Sequence, residues 1–305
     1  MNTPIVICII VTYNRVSLLE KVLDGVLTQT FPASKIIIID NNSSDDTQII
    51  IKQKKSEFKQ IEYYNTGENL GGAGGFNYGF RIAEKHYYDF IWIMDDDLLP
   101  EKTCLEHLIL SADHDGIYQP LRFNLNGSCA ELSPVVYDLS NPFYMNPKRL
   151  TVLNYYNNRH KDVHSAFKIH GVPFEGPLIS KKVIDCIGFP NPDFFIFYDD
   201  LDFSMRARKK GYTIECVPIA RATRLLYNNQ ANDLDSWKGY FMLRNLFYIH
   251  YTYGENFFVR IKPYFLAAGY FMLSLLKLNF KQCKTIFLAL MDSYDLRNSN
   301  LHKPQ

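Results

Sequence analysis

Three consecutive aspartates, Asp95, Asp96 and Asp97, are the side chains of this sequence with the clearest capacity for chemistry. They follow the apolar residues 91–94, which are typical of a buried strand in a parallel sheet, and ligands of such sheets bind at the carboxyl ends of the strands. Because neighbouring carboxylates repel one another, a site that holds three of them usually contains a cation, and oxygen ligands suit Mg²⁺ or Mn²⁺. The alternative is a solvated acidic turn that caps the next helix, since Asp is a preferred N-cap residue. Residues 91–100 alone favour neither interpretation.

A second acidic cluster, Asp199, Asp200 and Asp202, follows the aromatic residues 194–198, which we predict to form another apolar strand. A partly desolvated carboxylate at the end of a strand could act as a general base toward a hydroxyl group, and the aromatic residues would exclude water. The alternative is that one of these acids caps a helix predicted to begin at Leu201. Three acids are more than one cap requires.

Glycines and a lone aspartate mark two further candidate ligand contacts. Residues 71–75 read GGAGG, which matches neither the GxGxxG nor the GxxxxGK pattern. Glycines there would allow the backbone to approach a ligand at a helix start, or would allow tight packing of that helix on a sheet. Asp40 ends a run of four isoleucines and could accept a hydrogen bond from a base or ribose, although taken alone it is more simply a turn residue.

The elements that must position these groups alternate regularly in the first part of the chain. We predict strands at residues 5–11, 35–40, 61–65 and 90–94, with helical periodicity at 16–27, 47–55 and 71–84. This order predicts a parallel, right-handed α/β sheet over the first 110 residues. Residues 115–170 show no sustained period, so we expect loops and short strands over the carboxyl edge of the sheet.

Composition limits the class of protein. With 305 residues and 47% hydrophobic content, the chain can bury a large core and is globular rather than disordered. The six cysteines are scattered without a CxxC pair, which favours reduced thiols and the cytosol. No charged segment precedes an apolar stretch at the amino terminus, so we expect no signal peptide.

Charge and aromatic residues are concentrated near the carboxyl terminus. Residues 1–203 carry a formal charge of −8 and residues 204–305 a charge of +9, so a nucleic acid or an anionic membrane surface could be a partner. The apolar run 263–276 is shorter than the roughly 20 residues that span a bilayer. Lysines and arginines bracket it, which favours an interfacial anchor over a helix buried in a small bundle.

Six ordered motifs resemble family 2 glycosyltransferases of the GT-A fold, over residues 5–248. The first three are residues 11–15 (VTYNR), 39–43 (IDNNS) and 68–76 (ENLGGAGGF). The others are residues 92–97 (WIMDDD), 195–203 (FIFYDDLDF) and 240–245 (YFMLRN). The last four are similar to the galactofuranosyltransferase and rhamnosyltransferase branch.

The resemblance implies a fold, a reaction and a location. The fold would be α/β, a Rossmann-like and mostly parallel sheet flanked by helices, with residues 1–225 as the catalytic domain and 226–305 as a helical, aromatic, basic and membrane-proximal region. The reaction would be the inverting, metal-dependent transfer of galactofuranose or rhamnose from a nucleotide-diphosphosugar to a lipid-linked glycan of a bacterial surface polysaccharide. The protein would work in the cytoplasm, peripherally on an anionic inner membrane face, without a nucleic-acid partner.

The same resemblance assigns roles to individual residues. Asp95 and Asp97 would hold Mn²⁺ or Mg²⁺, Asp200 would deprotonate the acceptor hydroxyl, and Glu175 and Asp199 would lie on the acceptor side. The residues implied to bind the nucleotide-sugar are Thr12, Tyr13, Arg15, Asp40, Asn42, Asn69, Gly71, Gly72, Asp96 and Arg224.

Two departures from the family pattern affect these roles. Arg224 stands where the family usually has a metal-ligating histidine; it cannot ligate a cation but could pair with the diphosphate. Residues 174–176 (FEG) replace a paired-tryptophan motif of galactofuranosyltransferases that extend cell-wall chains. The alternatives are therefore a catalytically silent nucleotide-sugar-binding homologue and a metal-dependent nucleotidyltransferase. The second would need a basic residue in the glycine loop, and residues 71–76 contain none.

Overall fold

A mixed β-sheet with helices on both faces forms the centre of the fold. The computed structural model describes residues 3–159, 163–227, 234 and 236–304. Strands and helices alternate in the first part of the chain, as predicted. These elements are β1 (Val6–Thr12), α1 (Val16–Leu27), β2 (Lys35–Asp40), α2 (Thr47–Glu57), β3 (Ile61–Asn65), α3 (Gly71–Ala83) and β4 (Phe90–Asp95).

The first four strands form a parallel sheet in the order β3-β2-β1-β4. In this register Thr12 lies opposite Asp40, and Val11 lies opposite Asp95. Alternate residues of β1 pack into different cores on the two faces of the sheet, with Ile7 and Ile9 on one face and Cys8 on the other. The predicted parallel sheet is therefore confirmed, and its register gathers three polar side chains at one edge.

The sheet continues as a mixed sheet. The elements of this part are β5 (Leu98–Pro100), α4 (Cys104–Ser111), β6 (Gly116–Asn124), β7 (Pro134–Tyr137), β8 (Lys148–Thr151), α5 (Val152–Asn158), β9 (Phe167–Lys168), β10 (Leu178–Ser180), α6 (Lys181–Ile187), α7 (Asp199–Lys209) and β11 (Thr213–Arg224). Strand β10 pairs antiparallel with both β4 and β6, and β11 runs parallel to β6 and antiparallel to β5.

The expectation of loops and short strands over residues 115–170 is wrong for β6. This nine-residue strand lies inside the sheet, and its first seven residues are buried. Gln119, Pro120 and Arg122 interrupt its apolar pattern, and the buried Arg122 is neutralised there by Glu131, a residue nine positions away. Because this charge is paired only after folding, the hydrophobicity of the sequence does not predict that the strand is buried.

The predicted strand at 194–198 is also wrong. A 3-10 turn at Pro192–Phe194 leads into an irregular segment, residues 195–198, in which Phe195, Phe197 and Tyr198 have φ angles of 62°, 67° and 67°. Positive φ angles are incompatible with a strand. Helix α7 begins at Asp199, not at Leu201, and none of its acids is the N-cap residue, which is Tyr198.

The alternative of a helix-capping acidic turn at Asp95–Asp97 is wrong as well. Asp96 and Asp97 lie in a turn between β4 and β5, and the next helix, α4, has Thr103 as its N-cap residue. The aspartates stand at the carboxyl end of β4, the position at which ligands of α/β sheets bind.

The carboxyl-terminal region is a small helical bundle formed by α8 (Lys238–Tyr253), α9 (Phe257–Leu276) and α10 (Phe280–Asp292), followed by the short α11 (Ser299–His302). Apolar residues of α8, α9 and α10 share a buried core with Phe195. In the described ranges, no helix is both long enough and apolar enough to cross a bilayer. Large apolar side chains nevertheless remain exposed on α9 and α10: Phe257, Phe258, Tyr264, Phe265, Met272, Leu273, Leu276, Phe280, Phe287 and Met291.

Candidate active site

Asp96 connects the ends of strands β1 and β4. Its carboxylate accepts hydrogen bonds from Thr12 Oγ1 at 2.7 Å, from the backbone N–H of Tyr13 at 3.4 Å and from Arg15 Nη1 at 3.1 Å. The side chain is 3% exposed, and this burial raises its pKa against the opposing effect of Arg15. Thr12, Arg15 and Asp96 are thus brought together as a rigid support for the neighbouring carboxylates, while Tyr13 is exposed beside them.

The effect of burial on the pKa values of Asp95 and Asp97 is offset less well than it is for Asp96. Burial raises the pKa of Asp95 well above its usual value, and the charges of Asp97, Glu175 and Asp96 raise it further. Burial, Glu175 and Asp96 likewise raise the pKa of Asp97 to about 6, although Arg15 and Arg224 oppose them. The nearest cation, Arg15 Nη1, is 3.6 Å from Asp97 Oδ2. The site therefore holds an excess of negative charge.

This donor set fits a hard divalent cation that is shared with a ligand. Across the described ranges, no group of three or more His, Cys, Asp or Glu side chains is arranged to hold a metal ion. Mg²⁺, however, is commonly bound by one or two carboxylates together with substrate phosphates and water. Asp95 and Asp97 could supply the two carboxylates, and a cation there would relieve the repulsion that raises the pKa values of both.

Asp40 holds its own turn together. The side chain is fully buried; Oδ1 accepts from the Ser43 N–H at 2.8 Å, and Oδ2 accepts from the Tyr63 hydroxyl at 2.6 Å. This is the turn role that the sequence suggested as the alternative to a base contact. The adjacent Asn42 has a φ of 65° and is exposed, so its side chain is available to a ligand at the end of β2.

The glycine-rich start of α3 packs against the segment that carries the second acidic cluster. Gly71 has a φ of 70°, and a Cβ atom there would lie 2.2 Å from the Phe195 carbonyl oxygen. Asn69 Oδ1 accepts from the Gly71 N–H at 2.9 Å and fixes this approach. At Gly72, in contrast, nothing lies within 4 Å of the position that a Cβ atom would occupy. Close packing therefore explains Gly71, and open space for a ligand remains at Gly72.

Asp200 lies in the first turn of α7, on the wall of a cavity of about 430 Å³. Burial raises its pKa to about 6; Glu175 also raises it, whereas the hydrogen bond from the Leu201 N–H and the charges of Lys148 and Arg122 oppose the rise. A carboxylate whose pKa lies near the working pH can accept a proton efficiently. Asp199 is buried beside it but does not line the cavity, so Asp200 is the better placed of the two acids to contact a ligand there.

Two residues of α8 hold the irregular segment before Asp200 in place. Asn245 Nδ2 donates to the carbonyl oxygens of Phe194, Ile196 and Phe197 at 3.1, 2.8 and 2.9 Å. Arg244 Nη2 donates to the carbonyl oxygen of Asp193 at 2.6 Å, and its Nε donates to Asn245 Oδ1 at 3.0 Å. Both side chains are fully buried.

Sequence reasoning assigned Arg244 and Asn245 no role, although both belong to the last of the six motifs. The available signal was an Arg-Asn pair within an otherwise aromatic helix. Buried polar side chains almost always have partners, and the irregular backbone at 193–197 supplies them.

Glu175 lies between the two acidic clusters. Its Oε2 atom forms ion pairs with Arg122 Nη1 and with Arg224 Nε, the latter at 3.1 Å. Arg122 is in turn bonded to the buried Glu131, with Nε to Oε2 at 2.6 Å and Nη2 to Oε1 at 2.8 Å. Sequence reasoning missed Arg122 and Glu131 because they lie in the region expected to form loops.

Arg224 has unused hydrogen-bonding capacity. Its Nε atom is close enough to Glu175 for an ion pair, but the geometry is not that of a hydrogen bond, and this buried N–H has no partner among the described residues. The side chain also lines the cavity that contains Asp200. An anion in the cavity could therefore complete the coordination of Arg224.

The site as a whole has two sides that share one electrostatic field. Glu175 raises the pKa values of Asp95 and Asp97 on one side and of Asp200 on the other. One side can hold a cation with an anionic ligand, and the other can take a proton from a ligand hydroxyl. Together with a sheet whose strand ends carry the acids, this arrangement fits an enzyme that uses a bound cation and a general base.

Solved structures identify the fold. The fold is that of GT-A glycosyltransferases: GalNAc-T7, crystallised with UDP, GalNAc and Mn²⁺, superposes with a TM-score of 0.59 at 14% identity, over 81% of this chain and 51% of that one. Residues 7–187, more than half of the chain, match the model of glycosyl transferase family 2, and the protein belongs to that family.

The relatives indicate a branch of the family that is similar to galactofuranosyltransferases and rhamnosyltransferases. The galactofuranosyltransferase GlfT1 of Mycolicibacterium smegmatis is 27% identical, over 69% of this chain and 67% of that protein. The dTDP-rhamnosyl transferase RfbF of Shigella flexneri is 23% identical, over 72% and 68%. The GalNAc(5)-diNAcBac-PP-undecaprenol beta-1,3-glucosyltransferase of Campylobacter jejuni is 34% identical, over 29% and 28%.

Proposed function

We propose that this protein is an inverting glycosyltransferase that moves galactofuranose or rhamnose from a nucleotide-diphosphosugar to a lipid-linked glycan acceptor during synthesis of a bacterial surface polysaccharide. The observation that carries the proposal is the position of Asp200. Its carboxyl group, with a pKa of about 6, faces a 430 Å³ cavity and shares the field of Glu175 with Asp95 and Asp97. Membership of glycosyl transferase family 2 supports the reaction class.

The chemistry assigned to the chain is a single displacement. Asp200 takes the proton of an acceptor hydroxyl, and the hydroxyl oxygen bonds to the anomeric carbon as the bond to the diphosphate breaks. Attack opposite the leaving group inverts that carbon. A Mn²⁺ or Mg²⁺ ion bound by Asp95 and Asp97 would neutralise charge on the departing diphosphate.

Arg224 adds positive charge on the donor side in this proposal. Its Nε–H makes no hydrogen bond within the described part of the chain and could donate to a diphosphate oxygen, and its charge already lowers the pKa of Asp97. We assign the binding of the nucleotide-sugar to Thr12, Tyr13, Arg15, Asn42, Asn69, Gly72 and Asp96. Asp40 and Gly71 act here mainly by shaping the turns that border it.

We also propose that residues 226–305 place the catalytic part, residues 1–225, against the cytoplasmic face of the membrane. Residues 204–305 carry a charge of +9, and α9 and α10 expose many aromatic and aliphatic side chains. Basic residues beside exposed aromatic residues are attracted to anionic leaflets. The buried contacts of Arg244 and Asn245 also connect this region to the segment before Asp200.

The test is incubation of the whole protein with UDP-galactofuranose or dTDP-rhamnose, Mn²⁺ and lipid-linked glycans. We expect sugar transfer from one donor, with slow nucleotide release when the acceptor is omitted. Asp200→Asn should reduce both activities by about 10²–10⁴-fold. The matched control is Asp113→Asn, a change of an exposed carboxylate outside the site.

Two outcomes would contradict the proposal. Nucleotide binding without turnover across a full panel of donors and acceptors would favour the catalytically silent homologue, which the replacement of the usual histidine by Arg224 motivates. Release of pyrophosphate from a nucleoside triphosphate and a sugar phosphate would favour a nucleotidyltransferase.

A further inference from the structure

An apolar groove of about 690 Å³ lies between one face of α9 and residues 142–145. The α9 residues that line it recur at helical spacing, from Phe258 through Phe265 to Leu273, so they share one face of the helix. Phe143 on the opposite wall is 88% exposed. A concave surface of this length and polarity suits an extended hydrocarbon chain.

The groove adjoins the cavity that contains Asp200. Met145 lines both spaces, and the next residues, Asn146 to Lys148, continue along the wall of the cavity that contains Asp200. A ligand with an apolar end in the groove can therefore place its other end beside Asp200. The Asp200 cavity, in contrast to the groove, is lined by charged residues, including Arg122, Glu175 and Arg224.

Two lysines flank the junction at Met145. Lys262 lines the groove and donates from Nζ to the Tyr144 carbonyl oxygen. Lys148 lines the cavity and donates to the Leu132 carbonyl oxygen at 3.0 Å. Burial lowers the pKa values of both lysines, so an anion beside them would replace part of the lost hydration. The polarity thus changes in order from apolar groove to cationic junction to carboxylate-containing cavity.

Gly269 keeps the groove open. It lies within α9, where glycine is less favourable than alanine. It lines the groove, and nothing lies within 4 Å of the position that its Cβ would occupy. A larger residue here would obstruct the groove without disturbing the packing beneath it.

We propose that this groove binds the polyprenyl chain of a prenyl-diphosphate-linked acceptor, whose diphosphate lies by Lys148 and Lys262 and whose glycan reaches Asp200. The proposal rests on the proposed function and names the site for the lipid part of its acceptor. A bilayer would contact convex surfaces, whereas this surface is concave and adjoins the cavity that contains Asp200. The undecaprenol-linked substrate in the name of the Campylobacter jejuni relative has the same order of parts.

The test uses farnesyl diphosphate, a soluble prenyl diphosphate, and inorganic pyrophosphate, each titrated into the full chain by calorimetry without vesicles. We expect farnesyl diphosphate to bind at least about tenfold more tightly, because the prenyl chain is buried. Gly269→Leu, which fills the groove, and Leu273→Glu, which charges it, should each reduce that preference to less than about twofold. Phe287→Glu is the matched control, since Phe287 is exposed on α10 outside the groove, and it should keep the preference.

Equal affinity for the two probes, or an unchanged preference in both groove variants, would overturn the proposal. So would groove variants that keep the preference but detach from phosphatidylglycerol vesicles, because the groove would then contact a bilayer. Titration with UDP and dTDP separates this result from failure of the proposed function. If the wild-type protein binds nucleotide and turns over but shows no preference for the prenyl diphosphate, the groove proposal alone is contradicted. If it shows that preference but no turnover, the proposed function alone is contradicted.

Discussion

The proposed donor and acceptor sides of the candidate active site are built in different ways. On the donor side, Thr12, Asp40 and Asp95 stand at the ends of three neighbouring parallel strands, and the strand register sets their spacing. On the acceptor side, Asp200 follows a segment with no strand partner, and α8, about fifty residues further along the chain, holds that segment in place. Regular hydrogen bonding positions one set of carboxylates, and two buried side chains position the other.

This difference has an energetic consequence. Each non-glycine residue with a positive φ angle costs of order 1–3 kcal/mol, and three of them precede Asp199. The hydrogen bonds from Arg244 and Asn245 offset that cost, since each buried bond contributes about 1 kcal/mol and its loss leaves a carbonyl unsatisfied. The acceptor side should therefore be the more sensitive to changes far from the reacting atoms.

Asn245→Ala should have the largest effect among changes outside the reacting groups. Removing three donated hydrogen bonds frees the carbonyls of Phe194, Ile196 and Phe197 and lets the segment before Asp200 relax. We expect turnover to fall about 100-fold, because small displacements of a catalytic group have effects of this size. Nucleotide affinity should stay within about twofold of that of the wild type, as measured by calorimetry.

The control for this change is Asn279→Ala, which removes the N-cap of α10 at a cost of about 1 kcal/mol without touching the segment. Comparable loss of turnover in both variants, or loss of nucleotide binding in Asn245→Ala, would show that α8 acts on general stability and not on the position of Asp200.

The pH dependence of turnover should follow the protonation of the Asp200 carboxylate. Its pKa is raised to about 6, so the carboxylate is present above that pH and is lost by protonation below it. At saturating Mn²⁺, kcat/KM should be constant above pH 7 and fall about tenfold per pH unit below 6. A profile that is flat down to pH 5, with donor binding unchanged, would contradict the proposal that Asp200 acts as a base with a raised pKa of about 6.

Arg224→Ala should have a smaller effect, lowering turnover roughly tenfold, as loss of a charged hydrogen bond of about 1.5 kcal/mol requires. The required concentration of Mn²⁺ should rise, since the arginine no longer shares the charge of the diphosphate. Arg224→Lys is the matched variant, which keeps the charge but not the guanidinium geometry. Unchanged turnover and metal requirement in Arg224→Ala would remove Arg224 from the donor site.

Membrane binding should show the smallest effect of a single change. Replacing Phe280, an exposed aromatic residue of α10, by serine should weaken binding to anionic vesicles about threefold and leave transfer to a water-soluble acceptor unchanged. Leu110→Ser, at an exposed position of α4, is the control. If the wild type, Phe280→Ser and Leu110→Ser bind vesicles equally in a flotation assay, that result would count against a membrane-facing α10.

The same difference between the two sides explains which parts of the fold and the site the sequence could predict. The bounds of β2, β3 and α1 follow from local periodicity and agree with the structure. Since parallel strands end at one edge, the position of Asp95 follows as well. Residues 194–198 are as apolar as a strand, yet their conformation depends on the donors of Asn245, which local periodicity does not contain. Strand β6 escaped prediction for a similar reason, because Arg122 is compatible with burial only through Glu131 and Glu175.

The most direct test of two separately built sides is a titration of UDP and dTDP, with and without Mn²⁺, into Asp97→Asn and Asp200→Asn. Asp97→Asn should weaken binding of the preferred nucleotide at least about tenfold and abolish its dependence on Mn²⁺, because one of two proposed metal ligands is lost. Asp200→Asn should bind the nucleotide and respond to Mn²⁺ like the wild type while failing to transfer sugar. Equal loss of Mn²⁺-dependent nucleotide binding in both variants would contradict the assignment of Asp95 and Asp97 to the donor and of Asp200 to the acceptor.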